Sequence, residues 1–437
     1  MSTIAFHTLG CKVNQYDTEA MRELLLDHGW KEVPFSEPAD VYLINTCTVT
    51  GTGDRKSLQL SRKIKREHPG SVLVLCGCLA QCRGNDLLTS AGADLVLGVQ
   101  HRGKIVELLN QVISTREKCC MVKPFDSNTP FEPLSIRQVS GRTRAAVKIQ
   151  EGCNNHCTYC IIPSVRGPIR SRSLESLRDE TLKLRDVGFT EIVLTGIHLA
   201  SYGKETKPSR YSLLDAISTV HDVDGIQRIR LGSLEPVVAT EEFCRALKDL
   251  PKVCPQFHLA LQSGSDTVLS RMKRRYNTFQ YREAADRLRK IYPKSAMTTD
   301  ILTGFPGETE QEFEETKSFI REMRYARIHV FPYSPRRNTP AAQMAGQLTD
   351  AEKEKRAREL IALGNHVSHQ YLETWLGEPS SVLIEEISRD IMSGYTPEYI
   401  RVQIPFKPGI QSGETVPVLL NGFTQGGMTA ELLRTRT

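Results

Sequence analysis

Three cysteines fall within one short run, Glu151-Gly152-Cys153-Asn154-Asn155-His156-Cys157-Thr158-Tyr159-Cys160, with the spacing C-x3-C-x2-C. Three thiolates on one tight loop can hold three irons of a four-iron cluster and leave the fourth iron open to a chelating ligand. The alternative is zinc, whose structural sites take four ligands, and the nearest fourth donor is His156, inside the loop itself. A second set is dispersed. Cys11, Cys47 and Cys78 are far apart, yet each follows a run that reads as a β-strand. Residues just beyond the carboxyl ends of parallel strands share one edge, where ligands bind, so these three can converge. Cys76 and Cys82 lie close enough to Cys78 to compete for the third position. Cys119, Cys120, Cys244 and Cys254 lie outside any motif and read as packing residues.

The elements that must position these residues alternate along the chain. Runs at Ile4–Thr8, Val41–Asn45, Ser71–Leu75 and Asp94–Leu97 read as strands. Helical patterns at Tyr16–His28, Asp54–Glu67, Leu79–Ser90 and Gly103–Ile113 separate or follow them, the signature of a parallel sheet flanked by helices. A stretch with Pro124, Pro130 and Pro133 reads as a linker. Six more strands follow, at Ala145–Ile149, Glu191–Thr195, Arg228–Leu231, Phe257–Leu261, Met297–Leu302 and Arg327–Phe331, and their spacing predicts a partial (β/α)6 barrel. The last part changes character. Val382–Ile387, Tyr399–Ile404, Val416–Leu420 and Met428–Leu433 read as short strands of a small antiparallel barrel. The fold class is thus α/β, with expected domains at 1–115, 142–370 and 371–437 and a linker at 116–141.

A chain of 437 residues is too long for one ordinary core. Charged residues at 25% and hydrophobic residues at 39% describe a soluble globular protein. Met1–Val13 shows no signal peptide, and the longest apolar stretch, around Val72–Ala80, is too short to span a bilayer. The expected location is the cytoplasm. There a disulfide framework is disfavoured, and twelve cysteines point to metal binding or catalysis. A net charge of +6 permits a polyanionic partner without requiring one.

With its preceding strand, the Cys153–Cys160 loop resembles the radical S-adenosylmethionine (SAM) superfamily. The wider resemblance is to the methylthiotransferase family. It is carried by Leu9-Gly10-Cys11-Lys12-Val13-Asn14-Gln15, Asn45-Thr46-Cys47-Thr48-Val49 and Gly77-Cys78-Leu79-Ala80-Gln81. Leu194-Thr195-Gly196-Ile197-His198, Gly232-Ser233-Leu234-Glu235-Pro236, Leu261-Gln262-Ser263-Gly264-Ser265, Thr299–Thr309 and His329–Ser334 extend it over nearly the whole chain. The resemblance implies two [4Fe–4S] clusters, one on Cys153, Cys157 and Cys160 and one on Cys11, Cys47 and Cys78. Cys78 is preferred over Cys76 and Cys82 because it directly follows the Gly of the motif. The first cluster and SAM generate a radical, and the second presents sulfur. SAM is expected against Tyr159, Gly196, His198, Ser233, Glu235, Gln262 and Asp300, which sit on loops at the mouth of the barrel. No protein acid or base is assigned, since hydrogen abstraction by a radical needs none.

The runs Lys12–Gln15, Thr195–Leu199 and Glu151–Asn155 resemble the branch that adds a methylthio group at carbon 2 of N6-threonylcarbamoyladenosine, next to the anticodon of tRNA. The alternatives are isopentenyladenosine in tRNA, a ribosomal-protein aspartate, and, from another class, a zinc-stabilised RNA-binding protein without catalysis. A flavodoxin- or ferredoxin-like electron donor is implied; the sulfur donor is left open. Two basic groups are candidates for phosphate contacts: Arg55, Lys56, Arg62, Lys63, Lys65 and Arg66 on one helix, and Arg271, Lys273, Arg274 and Arg275. The last domain resembles TRAM, an RNA-associated module, through Gly394–Tyr399. From Tyr371 onward, however, five Lys/Arg stand against eight Asp/Glu, so packing or substrate orientation serves equally well as its role. At Arg337-Asn338-Thr339-Pro340 relatives often carry Gly in place of Asn338; Asn tolerates the left-handed conformation, so the turn is expected to persist.

Overall fold

A computed structural model describes residues 2–126, 129–137, 143–206 and 209–433. Parts of the expected linker (127–128 and 138–141), the expected domain start at 142 and the last four residues lie outside the described residues.

The first unit runs β1 (Thr3–Thr8), α1 (Lys12–Asp27), β2 (Lys31–Glu32), β3 (Val41–Thr46), α2 (Gly51–Glu67), β4 (Val72–Gly77), α3 (Cys78–Arg83), α4 (Asp86–Ser90), β5 (Leu95–Leu97), α5 (Ile105–Thr115) and β6 (Cys119–Met121). Its six strands form one parallel sheet in the order β2-β1-β3-β4-β5-β6. Every residue of β3 and β4 is buried, as continuous apolar runs in a two-sided sheet require. Val41 and Leu43 pack on one face and Tyr42 and Ile44 on the other. Two expectations change here. The single helix expected over Leu79–Ser90 is broken into α3 and α4 at Gly84, whose φ is +50°. The linker begins later than expected, because β6 pairs in parallel with β5 and extends the sheet.

The second unit contains β7 (Arg144–Glu151), α6 (Ile162–Arg166), β8 (Arg170–Ser171), α7 (Leu174–Asp186), β9 (Glu191–Gly196), α8 (Leu213–His221), β10 (Arg228–Leu231), α9 (Glu241–Lys248), β11 (Gln256–His258), α10 (Asp266–Arg271), α11 (Thr278–Ile291), β12 (Ala296–Thr303), α12 (Glu310–Met323), β13 (Arg327–Pro332) and α13 (Asp350–Glu373). Parallel pairings join β7-β9-β10 and β11-β12-β13, and bridges at Ile229–Val253 and Leu234–Leu259 join the two sets into one arc. This is the expected partial barrel of six parallel strands, with the short antiparallel β8 added beside β7. Capping boxes at Thr309/Glu312 and Thr349/Glu352 fix where α12 and α13 begin.

Strands β14 (Pro379–Ile387), β15 (Ile391–Tyr395), β16 (Arg401–Pro405), β17 (Thr415–Thr424) and β18 (Gly427–Leu432) close into a small barrel. It has one strand more than expected. Strand β15 escaped notice because Gly394 interrupts its pattern; that glycine is needed, since a Cβ there would lie 1.9 Å from the Leu383 carbonyl oxygen. The pairings are antiparallel except β16 with β18.

The first two units meet across a buried ionic seam. Asp17 of α1 takes Lys148 Nζ of β7 at 2.5 Å and is also paired with Arg102. Glu151 accepts from Arg166 Nη1 at 2.5 Å, Arg102 Nη2 at 3.0 Å and Lys148 Nζ at 3.3 Å. Each of these five side chains is at most 1% exposed. Burial alone would raise the Glu151 carboxyl; the surrounding Arg102, Lys148 and Arg166 charges hold it well below the usual carboxylate range. The small barrel is fastened to the strands of the second unit. Arg228 Nη1 donates to the Tyr395 carbonyl at 3.0 Å, while Arg230 donates to those of Thr396 and Pro397, each at 2.7 Å. Among the described residues no helix is long and apolar enough to cross a membrane.

Candidate active site

Cys11, Cys47 and Cys78 follow β1, β3 and β4, which are adjacent in the first sheet. Their thiols lie within mutual electrostatic reach, as the order of the strands requires. Two glycines make this possible. Gly10 (φ +103°) passes so close to Cys47 that a Cβ would lie 2.9 Å from the Cys47 Cβ, and at Gly77 (φ +90°) one would lie 2.2 Å from Asn45 Oδ1. Cys11 stands at the N-cap of α1. Cys76 lies in the apolar core of the sheet, and Cys82 is exposed near Asp54 and Arg336; neither belongs with the other three.

The loop after β7 carries the other set. Cys157 Sγ accepts from Arg274 Nη1 at 3.2 Å, and Cys153 Sγ accepts from the Asn155 backbone N–H at 3.4 Å. Burial raises the thiols of Cys153 and Cys78 to about 11 and that of Cys160 to about 12. Deprotonation on loading therefore has to come from the bound group. The two sets adjoin each other. Cys78 packs against Ile161, the residue after Cys160, and against Val165, and its Sγ accepts from Arg166 Nε at 3.2 Å. Among the described residues, no three His, Cys, Asp or Glu side chains gather around a point that a single metal ion could occupy. Two thiol triads on strand-end loops, each with an arginine donating to sulfur, fit [4Fe–4S] clusters.

Cys153, Cys157 and Cys160 line a cavity of about 160 Å³ together with Tyr159, His198, Ser233, Glu235, Gln262 and Asp300. Gly196, expected with them, lines instead a neighbouring cavity of about 460 Å³ that runs into the barrel. Tyr159 packs against a cluster containing Met272, Phe305 and Tyr333. Gln262 holds a left-handed backbone, φ +71°, unusual for a residue with a side chain and of the kind concentrated at ligand sites. The Glu235 carboxylate is the hub of the smaller cavity. It meets His198 Nε2 at 2.9 Å, Arg274 Nη2 at 2.7 Å and Asn155 Nδ2 at 3.3 Å. Burial would raise its pKa, but bonding to His198 and the charge of Arg274 outweigh that and bring it to about 2.

Arg274 and Asn155 were not singled out as site residues. Arg274 stands in a basic run and reads as a phosphate contact, yet its side chain is only 7% exposed and is committed to Glu235 and Cys157. Arg271 is engaged by Glu312, which leaves Lys273 and Arg275 exposed from that group. On α2, Lys65 is held by Asp94 at 2.5 Å, while Arg55, Lys56, Arg62, Lys63 and Arg66 are exposed. Asn338 adopts φ +65°, so the turn persists without glycine.

The larger cavity shares Ser233 and Asp300 with the smaller one and reaches Cys11 and Lys12 on its other side. Its walls mix apolar residues, Val13, Leu231 and Phe331 among them, with polar ones. Arg230, Gln256, His258, Thr298, Arg327 and His329 face it, and Tyr399 of the docked C-terminal barrel closes part of its rim.

A strand-borne thiol triad at the mouth of a six-stranded partial barrel defines a radical SAM enzyme, and residues 147–320 match the radical SAM superfamily model. Residues 3–98 match a model described as "Uncharacterized protein family UPF0004". The chain is 41% identical over 408 residues to the threonylcarbamoyladenosine tRNA methylthiotransferase MtaB of Bacillus subtilis (strain 168), covering 92% of this chain and 90% of that one. It is 33% identical to the MtaB of Thermotoga maritima, covering 98% and 96% of the two chains. With the tRNA-2-methylthio-N(6)-dimethylallyladenosine synthase of Pelotomaculum thermopropionicum it shares 34% over 88% and 87% of the two chains. The chain belongs to the radical SAM methylthiotransferase family. Its enzymatic class is transferase, and its cofactors are SAM and [4Fe–4S] clusters. Among solved structures, the radical SAM methyltransferase TsrM from Kitasatospora setae shares the fold, with a TM-score of 0.57 and 16% identity over 78% of this chain and 77% of that one.

Proposed function

We propose that this enzyme adds a methylthio group to carbon 2 of N6-threonylcarbamoyladenosine in tRNA. The observation that carries the proposal is the larger cavity: Cys11 lines it, it shares Ser233 and Asp300 with the smaller cavity, and the cationic side chains Lys12, Arg230 and Arg327 face it. A base inserted there faces one thiol triad on each side. The cations in that lining suit a substituent bearing a carboxylate.

In this reading Cys153, Cys157 and Cys160 hold the cluster that binds SAM, and Cys11, Cys47 and Cys78 hold the second. When bound, these groups supply one-electron cleavage of SAM and a site for sulfur. The chain does the positioning. Glu235, fixed as a carboxylate by His198 and Arg274, offers an anionic hydrogen-bond acceptor to a SAM amino or ribose group. Arg274 and Arg166 donate to Cys157 and Cys78, balancing negative charge on each triad. His258, 3.3 Å from Asp300 and 3.0 Å from Thr298, orients the wall where the cavities join. The exposed basic face of α2 is suited to the phosphate backbone of tRNA, and a tRNA substrate implies a cytoplasmic enzyme. A domain plan follows: residues 3–121 hold the second cluster, the partial barrel holds the first, and the C-terminal barrel completes the cavity rim.

The test is nucleoside mass spectrometry of tRNA from cells lacking the gene. Loss of the methylthio-threonylcarbamoyl nucleoside, restored by the wild-type gene, supports the proposal. An unchanged level with no paralogue present rejects it.

A further inference from the structure

Two of the four Lys, Arg and Asp side chains lining the larger cavity are already committed. Arg230 is held by Glu191 at 2.6 Å and by the carbonyls of Thr396 and Pro397, and Asp300 is paired with His258. Lys12 differs. It directly follows Cys11, begins α1, and lines both this cavity and an adjoining one of about 310 Å³ bounded by Arg144, Glu385 and Tyr399. Among the described residues its ammonium has no hydrogen-bond or ion-pair partner.

Two guanidiniums stand nearby, each paired with a carboxylate, Arg144 with Glu385 and Arg230 with Glu191. Arg144 and Arg230 both lie over the ring of Tyr399, at 5.0 and 4.9 Å from its centroid. Lys12 is exposed and lines the cavity, so its ammonium is open to an entering anion.

We propose that Lys12 forms the subsite that reads the carboxylate of the substrate's threonylcarbamoyl group. The inference rests on the function proposed above. N6-Threonylcarbamoyladenosine differs from the isopentenyl nucleoside in carrying one full negative charge on its N6 substituent, so a single positioned cation selects between the two. Arg327 is the other cation of the cavity wall without a partner among the described residues. It starts β13, at the opposite end of the strand from Phe331, and stands apart from Cys11 in the chain. Lys12 is the stronger candidate because it directly follows Cys11, which keeps the carboxylate subsite beside that thiol triad.

The experiment uses the cluster-loaded enzyme and synthetic anticodon stem–loops carrying either N6-threonylcarbamoyladenosine or its neutral methyl ester, with binding read by fluorescence anisotropy. Wild type is expected to prefer the acid by roughly tenfold or more, the span of a charge-assisted hydrogen bond. Lys12→Gln should bind acid and ester alike, and Lys12→Arg, which keeps the charge, should retain the preference. Iron content is counted for each variant. A Lys12→Gln enzyme that keeps the wild-type preference overturns the inference. So does loss of the preference in Arg327→Gln alone. Should the wild type form no methylthio product on the threonylcarbamoyl stem–loop, the proposed function itself falls, an outcome distinct from failure of Lys12.

Discussion

Substitution of Arg166 by Met tests whether the ionic seam holds the two thiol triads together. The guanidinium is fully buried; it donates to Glu151 at 2.5 Å, to Asp17 at 3.4 Å and to Cys78 Sγ at 3.2 Å, and it also bonds Asn14 Oδ1. Methionine fills much of the volume but leaves those acceptors short of a donor. Removing one member of a buried ion pair costs about 3–5 kcal/mol. Arg102 and Lys148 still neutralise Asp17 and Glu151, so the lower figure, about 3 kcal/mol, applies. At 1.4 kcal/mol per decade this is about a hundredfold faster amide hydrogen exchange in the segments whose opening breaks the seam, α1 and β7. The control is Arg282→Met, which removes a surface pair with Glu322 whose side chains are 36% and 48% exposed. An exposed pair contributes less than about 1 kcal/mol, and exchange in α1 and β7 should not move. Protection within about threefold of wild type in Arg166→Met would refute the reasoning.

Cys157→Ala should abolish SAM cleavage, whereas Cys47→Ala should still form 5′-deoxyadenosine and yield no methylthio product; a fully active Cys47→Ala enzyme excludes the second cluster. Gly77→Ala should lower iron from about eight to about four per chain, as expected for losing one of two four-iron clusters, because its Cβ would lie 2.2 Å from Asn45 Oδ1 at a φ of +90°; undiminished iron counts against the strand-end cradle. The Glu235 carboxyl is lowered from 4.5 to about 2 in the folded chain. A lowered folded value means its stabilisation is complete above about 4.5 and is lost as pH falls toward about 2, a difference of about 3 kcal/mol. Urea midpoints across that range should therefore fall more steeply for wild type than for Glu235→Gln, and parallel curves would contradict the assignment.

The sequence made the local part of the site plain and the distributed part only in outline. Cys153, Cys157 and Cys160 are fixed by their own spacing, because one loop carries all three. Cys11, Cys47 and Cys78 are grouped in sequence only by the family resemblance; the strand order β1-β3-β4 that brings them together is not given by periodicity. Asn338 was readable because one residue's conformational tolerance decides one turn. Arg274 was misread for the opposite reason. In sequence it is one member of a basic run, and only the chain fold directs it inward to Glu235 while Lys273 and Arg275 face solvent. Arg166 was invisible as a functional side chain, since its partners Asp17, Glu151 and Cys78 come from three separate elements. Strand β6 was hidden by its position in a stretch that reads as linker, where pairing with β5 outweighs local pattern.

The C-terminal barrel shows why net charge is a poor guide to what a domain contributes. Its composition is acidic, which argues against phosphate binding by the domain as a whole. Its attachment nevertheless helps to build the cationic wall of the cavity. Glu385 takes Arg144 Nε at 2.5 Å, and the carbonyls of Tyr395, Thr396 and Pro397 take Arg228 and Arg230. Tyr399, held at φ +65°, then presents its ring to Arg144 and Arg230 at the rim. The domain's acceptors thus fix the two arginines in place while its aromatic ring stands beside Lys12. Selection of an anionic substituent is in this way assembled from three units: the cation comes from α1, the arginines from the partial barrel, and the restraint on those arginines from the C-terminal barrel.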